Sequence, residues 1–383
     1  MLRPISLSCA ALCLLASAEA AAACPTDVVW PEPAWAEAPL PGGPAVEAFE
    51  EYLFTLVGAD EERLGIRTDG VVVVHRGRII YERYGRGFAQ RNRHLAWSVS
   101  KSVLSAMVGV AVLRGDLTVE DSICDHYPQD GEICDVTVGD LLDWGSGLDW
   151  NEGYEDEPYY LSSVIAMLYG VGSVDMAAFV AGHGRAHRPG TMHRYSSGDS
   201  VLLSAVLAGA LGPGLADSYP WELVFDPIGM ESAVFERDQA GTFVGSSSVY
   251  ATPRDLARFG YLFLRDGCWE GERILPEGWV AASTTPNPSF LAQPSPDWER
   301  DRGAVPGRHW WLNAPVPELM HESRWQTAPP DTFAALGHWG QTIFVIPSAD
   351  LVLVRTADDR ETGVFDRERY LELALALAAE DGP

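Results

Sequence analysis

The segment that most constrains this chain runs from Ser98 to Gly115. Its apolar residues Val103, Leu104, Met107, Val108 and Val112 lie on nearly every face of a helix instead of along one stripe. Such a helix must be enclosed on all sides, so the rest of the fold has to wrap it with other elements. With 383 residues, 47% of them apolar and 10% aromatic, there is material for one large core or two intimately packed subdomains.

The wrapping elements are readable on both sides. An amphipathic helix is expected over 46–57, and Val71–Val74 with Ile79–Tyr81, flanking Arg76-Gly77-Arg78, predict a β-hairpin. From about Leu117 to Ala216 the signals are mostly helical, over 138–142, 161–169, 174–180 and 200–211. Further helices are expected at 253–265 and 276–283, each opened by a proline. Strand chemistry returns at 341–346 and 351–355, joined through Pro347-Ser348-Ala349-Asp350, and a helix over 367–379 closes the chain. Strands at both ends of a helical middle predict one sheet assembled from distant sequence, with a helical subdomain inserted. The expected boundaries are 24–115 and 235–383 for the α/β part and 116–234 for the helical part. No repeat is present, and the proline-rich stretches 31–44 and 286–306 are too short to be linkers.

Acidic residues outnumber basic ones 54 to 27, giving a formal charge of −27 that repels a polyanion, so nucleic acid is excluded as a partner. The first two dozen residues read as a secretory signal: Arg3, an apolar run from Ile5 to Leu15, and small-residue cleavage sites at Ala18-Glu19-Ala20 or Ala21-Ala22-Ala23. That leader predicts a secreted or periplasmic protein. A lipid anchor on Cys24 is a weaker alternative, because Ala21 stands where a larger aliphatic residue is usual. No later segment supplies the roughly 20 apolar residues needed to span a bilayer. Beyond the leader remain Cys24, Cys124, Cys134 and Cys268, an even number for an oxidising compartment. A Cys124–Cys134 bridge across a short loop is the preferred pairing, Cys24 with Cys268 follows by elimination only, and four free thiols are the alternative.

Lys101 is the only lysine; every other basic side chain is arginine. An amine can lose its proton near neutral pH and a guanidinium cannot, so the single retained amine points to acid–base work. Ser98 precedes it by three residues, the spacing that sets Ser98 Oγ and Lys101 Nζ on one helix face. Desolvation there would lower the lysine pKa until it can accept the serine proton. Ser100 and Ser102 are rival nucleophiles, but neither has the i, i+3 relation to Lys101.

Ser98-Val99-Ser100-Lys101 resembles the first of three motifs in the family of class C β-lactamases, penicillin-binding proteins, β-lactamase-like esterases and 6-aminohexanoate-dimer hydrolases. Tyr195-Ser196-Ser197, after Pro189-Gly190-Thr191, is similar to the second motif. Gly337-His338-Trp339-Gly340-Gln341, leading into an apolar strand, is similar to the third. The connecting segments Leu141–Leu148, Pro227–Met230 and Ala251–Gly260 match the family's pattern in the same order, so the resemblance covers roughly 71–355.

The resemblance implies an α/β (α+β) fold of the β-lactamase/transpeptidase kind: an antiparallel sheet flanked by helices, an inserted all-helical subdomain, and a catalytic cleft between them. It implies Ser98 as acylated nucleophile, with Lys101 and Tyr195 sharing the proton traffic and Tyr195 a candidate phenolate. The Ser98 and Gln341 N–H groups would form the oxyanion hole, Gly340 would let the strand approach the substrate, and His338 and Trp339 would line the pocket. Two departures stand out. Ser197 replaces a substrate-orienting asparagine, and His338 replaces a cationic lysine that holds the antibiotic carboxylate in β-lactamases. Both lean towards an esterase or amidase resembling the aminohexanoate-dimer hydrolases, with a β-lactamase or D-amino-acid peptidase as the alternative.

The substrate class is therefore a small amide or ester, with no metal or organic cofactor. His183 and His187 have an i, i+4 spacing, but Gly182, Gly184 and Pro189 argue for a loop and no third ligand accompanies them. No G-x-S-x-G elbow, P-loop or dinucleotide fingerprint occurs. A non-catalytic protein binding peptides or wall fragments is the reading from another class; retention of Ser, Lys and Tyr together favours an enzyme.

Overall fold

Four consecutive valines decide the layering. In the computed structural model, which describes residues 23–154, 158–292, 305–319 and 321–382, Val71–Val74 are all fully buried. Because side chains alternate along a strand, Val72 and Val74 enter one core while Val71 and Val73 enter a second core on the opposite face. A strand covered on both faces reads as an unbroken apolar run, and each valine so buried contributes about 1.5–3 kcal/mol. The proposed leader, with its charged start and both cleavage sites up to Ala22, lies outside the described residues.

The main sheet contains β1 (Ala36–Glu37), β2 (Thr68–His75), β3 (Arg78–Tyr84), β4 (Val305–Pro306), β5 (Trp311–Leu312), β6 (Phe333–Gly337), β7 (Gln341–Ile346) and β8 (Leu351–Ala357). Its strand order is β1-β3-β2-β8-β7-β6-β5-β4. The β2–β8 pairing, with Val72 opposite Val354, joins the two ends of the sequence at the centre of the sheet. All pairings are antiparallel except the edge strand β1, which runs parallel to β3. That two-residue parallel edge is the one departure from the expected antiparallel sheet.

One face is covered by α1 (Pro44–Phe54) and the C-terminal helix Arg367–Glu380, through Phe49, Leu53, Tyr370 and Leu377. The other carries α2 (Val99–Arg114), buried from Val99 to Ala111. It also carries the helix Pro253–Leu264, where Gly260 is required: a Cβ there would come within 2.7 Å of Val352 Cγ1. Between α2 and residue 234 the described chain is helical, with Val138–Leu142, Ser163–Tyr169, Met176–Ala181 and Ser197–Leu211 as expected to within three residues. The helix predicted over 276–283 begins only at Trp279, because Gly278 stands before it in the left-handed region at φ 78°. Both disulfides form, Cys124–Cys134 and Cys24–Cys268.

Candidate active site

α2 begins on a strained turn. Trp97 has φ 49°, a left-handed conformation that costs a bulky residue about 1–3 kcal/mol unless its surroundings enforce it. Its ring is gripped edge-on by His338 at 5.5 Å and Trp339 at 5.2 Å. Ser98 follows as the N-cap, yet its hydroxyl makes no capping bond, so Oγ remains available to the cleft. Among the described residues the Ser98 N–H has no backbone acceptor either. Ser100 accepts from Val249 N–H at 3.0 Å and Ser102 donates to the His309 carbonyl at 2.6 Å, so both rival serines act as fasteners for neighbouring strands and loops.

Lys101 is 1% exposed. Its Nζ lies 3.1 Å from Ser98 Oγ, 3.0 Å from Ser197 Oγ and 2.8 Å from the Ser246 carbonyl oxygen. Burial lowers its pKa to about 8, opposed by the Glu152 carboxylate. Behind Ser197, Glu152 accepts from the Ser197 N–H at 2.8 Å, the Ser197 hydroxyl at 2.5 Å, the Trp150 indole at 2.6 Å and the Tyr154 hydroxyl at 3.0 Å. Ser197 thus differs from the expectation: fully buried, it fastens the lysine instead of facing a substrate.

Tyr195 packs between Trp144, 4.8 Å away, and Trp311, 5.5 Å away and stacked, with Lys101 Nζ 4.9 Å from its ring centre. Desolvation and the nearby Glu152 charge raise the Tyr195 pKa well above its ordinary value, against a lowering contribution from hydrogen bonding to Ser98. These influences favour the phenol, able to donate a proton, over the phenolate expected from the sequence. Trp144 also stacks on His309, whose Nδ1 donates to the Lys101 carbonyl at 2.9 Å. Burial holds that imidazole at a pKa of about 3, so it stays neutral.

The third motif ends β6 and opens β7. Gly337 is needed because a Cβ would meet the Ala96 carbonyl at 2.4 Å, beside the Trp97–Ser98 turn. Gly340, at φ 90°, serves a purpose other than the expected close approach to substrate. A Cβ there would strike Asp359 Oδ2 at 2.3 Å and Arg355 Nη1 at 2.5 Å. Those two side chains form a buried ion pair of 2.7 Å under the turn, and Arg355 also donates to the Gly340 carbonyl at 3.1 Å. The Gln341 side chain turns away from the cleft, its amide donating to the Ala357 carbonyl at 2.6 Å and its oxygen accepting from Ala357 N–H at 3.0 Å.

A cleft of about 250 Å³ opens over these groups, lined by Ser98, Tyr154, Tyr195, Trp311, Arg324 and His338 among others. His338 lines it as expected, stacked on Tyr154 at 5.1 Å. Trp339 does not: its ring lies against Trp97 and under the Arg360 guanidinium, 3.1 Å from the ring centre. Glu152, Tyr154, Trp311 and Arg324 escaped the sequence reading. The one local signal for any of them is the acidic Glu152 four residues after the Leu141–Leu148 motif.

Comparison with known proteins identifies the family. The family model described as Beta-lactamase matches residues 53–378. This chain belongs to the β-lactamase family. Among its family relatives is the 6-aminohexanoate-dimer hydrolase of Paenarthrobacter ureafaciens, 26% identical over 300 residues that span 75% of this chain and 72% of the relative. A Bacillus anthracis structure carrying the provisional name 6-aminohexanoate-dimer hydrolase superposes with a TM-score of 0.69 at 21% identity, covering 93% of this chain and 91% of the other. A class C β-lactamase superposes with a TM-score of 0.57 at 16% identity, covering 81% and 91%. The family fold, a sheet flanked by helices, is the one described above, and the chain is by family a β-lactamase-fold hydrolase.

Proposed function

We propose that this protein is an exported serine hydrolase that cleaves a small amide or ester through an acyl-enzyme on Ser98, in the manner of the 6-aminohexanoate-dimer hydrolases and related esterases. The observation carrying this reading is the hydrogen-bond polarity around Lys101. The Ser246 carbonyl can only accept. The Ser197 hydroxyl donates its one proton to Glu152 and can therefore only accept from the amine. As an ammonium Lys101 donates to both of these and to Ser98 Oγ; once it loses a proton, two N–H groups remain for the two acceptors and the lone pair faces the Ser98 hydroxyl.

In this reading Ser98 Oγ bonds to the substrate carbonyl carbon while its proton passes to Lys101 Nζ. The carbonyl π pair moves onto oxygen, stabilised by the Ser98 and Gln341 N–H groups. As the tetrahedral carbon collapses, the bond to the leaving nitrogen or oxygen breaks and the Tyr195 phenol protonates it; the lysine proton restores the phenol. Water then enters by the reverse sequence, releasing the acid. His338 gives weaker charge support to a substrate carboxylate than lysine does, which favours esters and linear amides over β-lactams. The two disulfides support export to an oxidising compartment.

A fluorophosphonate reagent is expected to label the protein at Ser98 and nowhere in Ser98→Ala. Turnover is then expected in a screen of p-nitrophenyl esters, a chromogenic cephalosporin, D-amino-acid amides and ω-amino-acid oligomers, with esters or linear oligomers leading. Labelling that persists in Ser98→Ala would remove Ser98 as nucleophile.

A further inference from the structure

Four aromatic side chains stand on a left-handed backbone among the described residues: Trp97 at φ 49°, Trp144 at 50°, His309 at 60° and Trp339 at 55°. That conformation is unfavourable for bulky side chains and persists only where the surroundings enforce it. The four meet as two ring pairs. Trp97 packs on Trp339 beside Ser98, and Trp144 stacks on His309 at 4.9 Å with 24° between the planes. Neither member of the second pair lines the cleft, and both are buried.

We propose that Trp144 and His309 are positioning residues, a buried strut that holds the Tyr195 phenol where it can protonate a leaving group. At one end, the Trp144 carbonyl accepts from the Arg194 N–H at 2.9 Å, which fixes the backbone immediately before Tyr195, and the two rings of Trp144 and Tyr195 lie 4.8 Å apart. At the other, His309 is fastened twice to α2: its Nδ1 donates to the Lys101 carbonyl at 2.9 Å, and its own carbonyl accepts from Ser102 Oγ at 2.6 Å. The residues just before the pair are joined too, Asp143 to Arg308 at 3.4 Å. The Asp143 carbonyl is held in turn by the Asn287 amide at 2.8 Å and the Ser289 hydroxyl at 3.1 Å. Two consecutive contacts, an ion pair and a ring stack, thus lock the two segments in register.

What Trp144 contributes is shape. Its indole N–H has no protein acceptor among the described residues, so the ring is not kept for a hydrogen bond. Of the two indoles against Tyr195, Trp311 lines the open cleft, whereas Trp144 is enclosed and stacked on His309, so Trp144 sets the position of the phenol. Lys101 is anchored separately, by Ser197 and Ser246. A phenol displaced by about 1 Å therefore weakens leaving-group protonation more than it weakens attack by Ser98. Resting on the hydrolase reading, the strut decides how well the enzyme handles poor leaving groups, those of alkyl esters and amides.

The test compares kcat/KM for p-nitrophenyl butanoate and ethyl butanoate in the full-length protein, since p-nitrophenolate departs unprotonated and ethoxide does not. Tyr195→Phe gives the full effect, an expected fall of about 10²-fold or more in the ethyl to p-nitrophenyl ratio. Trp144→Leu is expected to lower that ratio at least about tenfold, and His309→Gln severalfold. Trp144→Phe keeps a ring and forfeits no hydrogen bond, and its ratio is expected within about threefold of wild type. A ratio, unlike either rate, does not move when a variant merely loses folded protein, and His309→Gln remains readable if Trp144→Leu does not fold. Losses shared equally by the two esters in Trp144→Leu and His309→Gln, with the ratio still falling in Tyr195→Phe, overturn the strut alone. A ratio unchanged in Tyr195→Phe, or a wild-type protein that a fluorophosphonate does not label, sinks the hydrolase reading and the strut with it.

Discussion

Burial lowers the Lys101 pKa to about 8, and in the proposed reaction a lysine base acts only when unprotonated. The value of kcat/KM on a p-nitrophenyl ester, corrected for spontaneous hydrolysis, is therefore expected to rise about tenfold per pH unit below 8 and to level off above it. A flat profile between pH 6 and 9 would contradict the lysine base. The Glu152 charge pulls the lysine pKa upward. Glu152→Gln removes that charge, so the acid limb is expected to move to lower pH, read from the same profiles. Replacing Lys101 with arginine is a poor probe, since a larger, permanently charged group must enter a site that is 1% exposed and bonded on three sides. Lys101→Ala is the cleaner change, with an expected loss of order 10²–10⁴ in kcat/KM.

Among the elements, the turn between β6 and β7 depends most on what lies under it. Arg355→Met leaves the Asp359 carboxylate buried without its cation, and urea denaturation is expected to show a loss of about 3–5 kcal/mol. Gly340→Ala should fail in the same assay, since its Cβ meets both members of that pair and its φ is left-handed. The reach of the sequence is clear at this scale. α2, the β2–β3 hairpin, β7 and β8 were legible because periodicity and apolar runs are local signals. β6, with the residues Phe-Ala-Ala-Leu-Gly, lacks β-branched side chains and becomes a strand by pairing with β7. β1, β4 and β5 have two residues each, too few for any period. The Ser-Lys-Tyr set was readable from motif spacing, whereas the Tyr195 proton was not, since it depends on Glu152 and on enclosure by Trp144 and Trp311. Glu152 itself sits in a loop without pattern and acquires its role only through Ser197, 45 residues away.

At the scale of the whole molecule, the N-terminal segment is sewn to the body. Arg258 donates to the Pro31 carbonyl at 2.7 Å, Tyr261 to the Val29 carbonyl at 2.8 Å, and Cys24 is bonded to Cys268. That bridge spans 244 residues and Cys124–Cys134 spans 10. On the chain-entropy account, removing them costs about 5 and about 3 kcal/mol respectively. Alanine pairs at 24/268 are thus expected to lower the melting temperature more than pairs at 124/134; the reverse order would mean that the terminal segment is already loose.

The β2–β8 ladder, where Arg355 Nε donates to Thr68 Oγ1 across 287 residues, bears on how such a chain is made. A ribosome delivers β2 early and its neighbour almost last, so throughout synthesis one hydrogen-bonding rim of β2 has no native mate. A chain cut short before residue 351 leaves that rim of β2 open and is expected to aggregate, read as loss of soluble protein on expression.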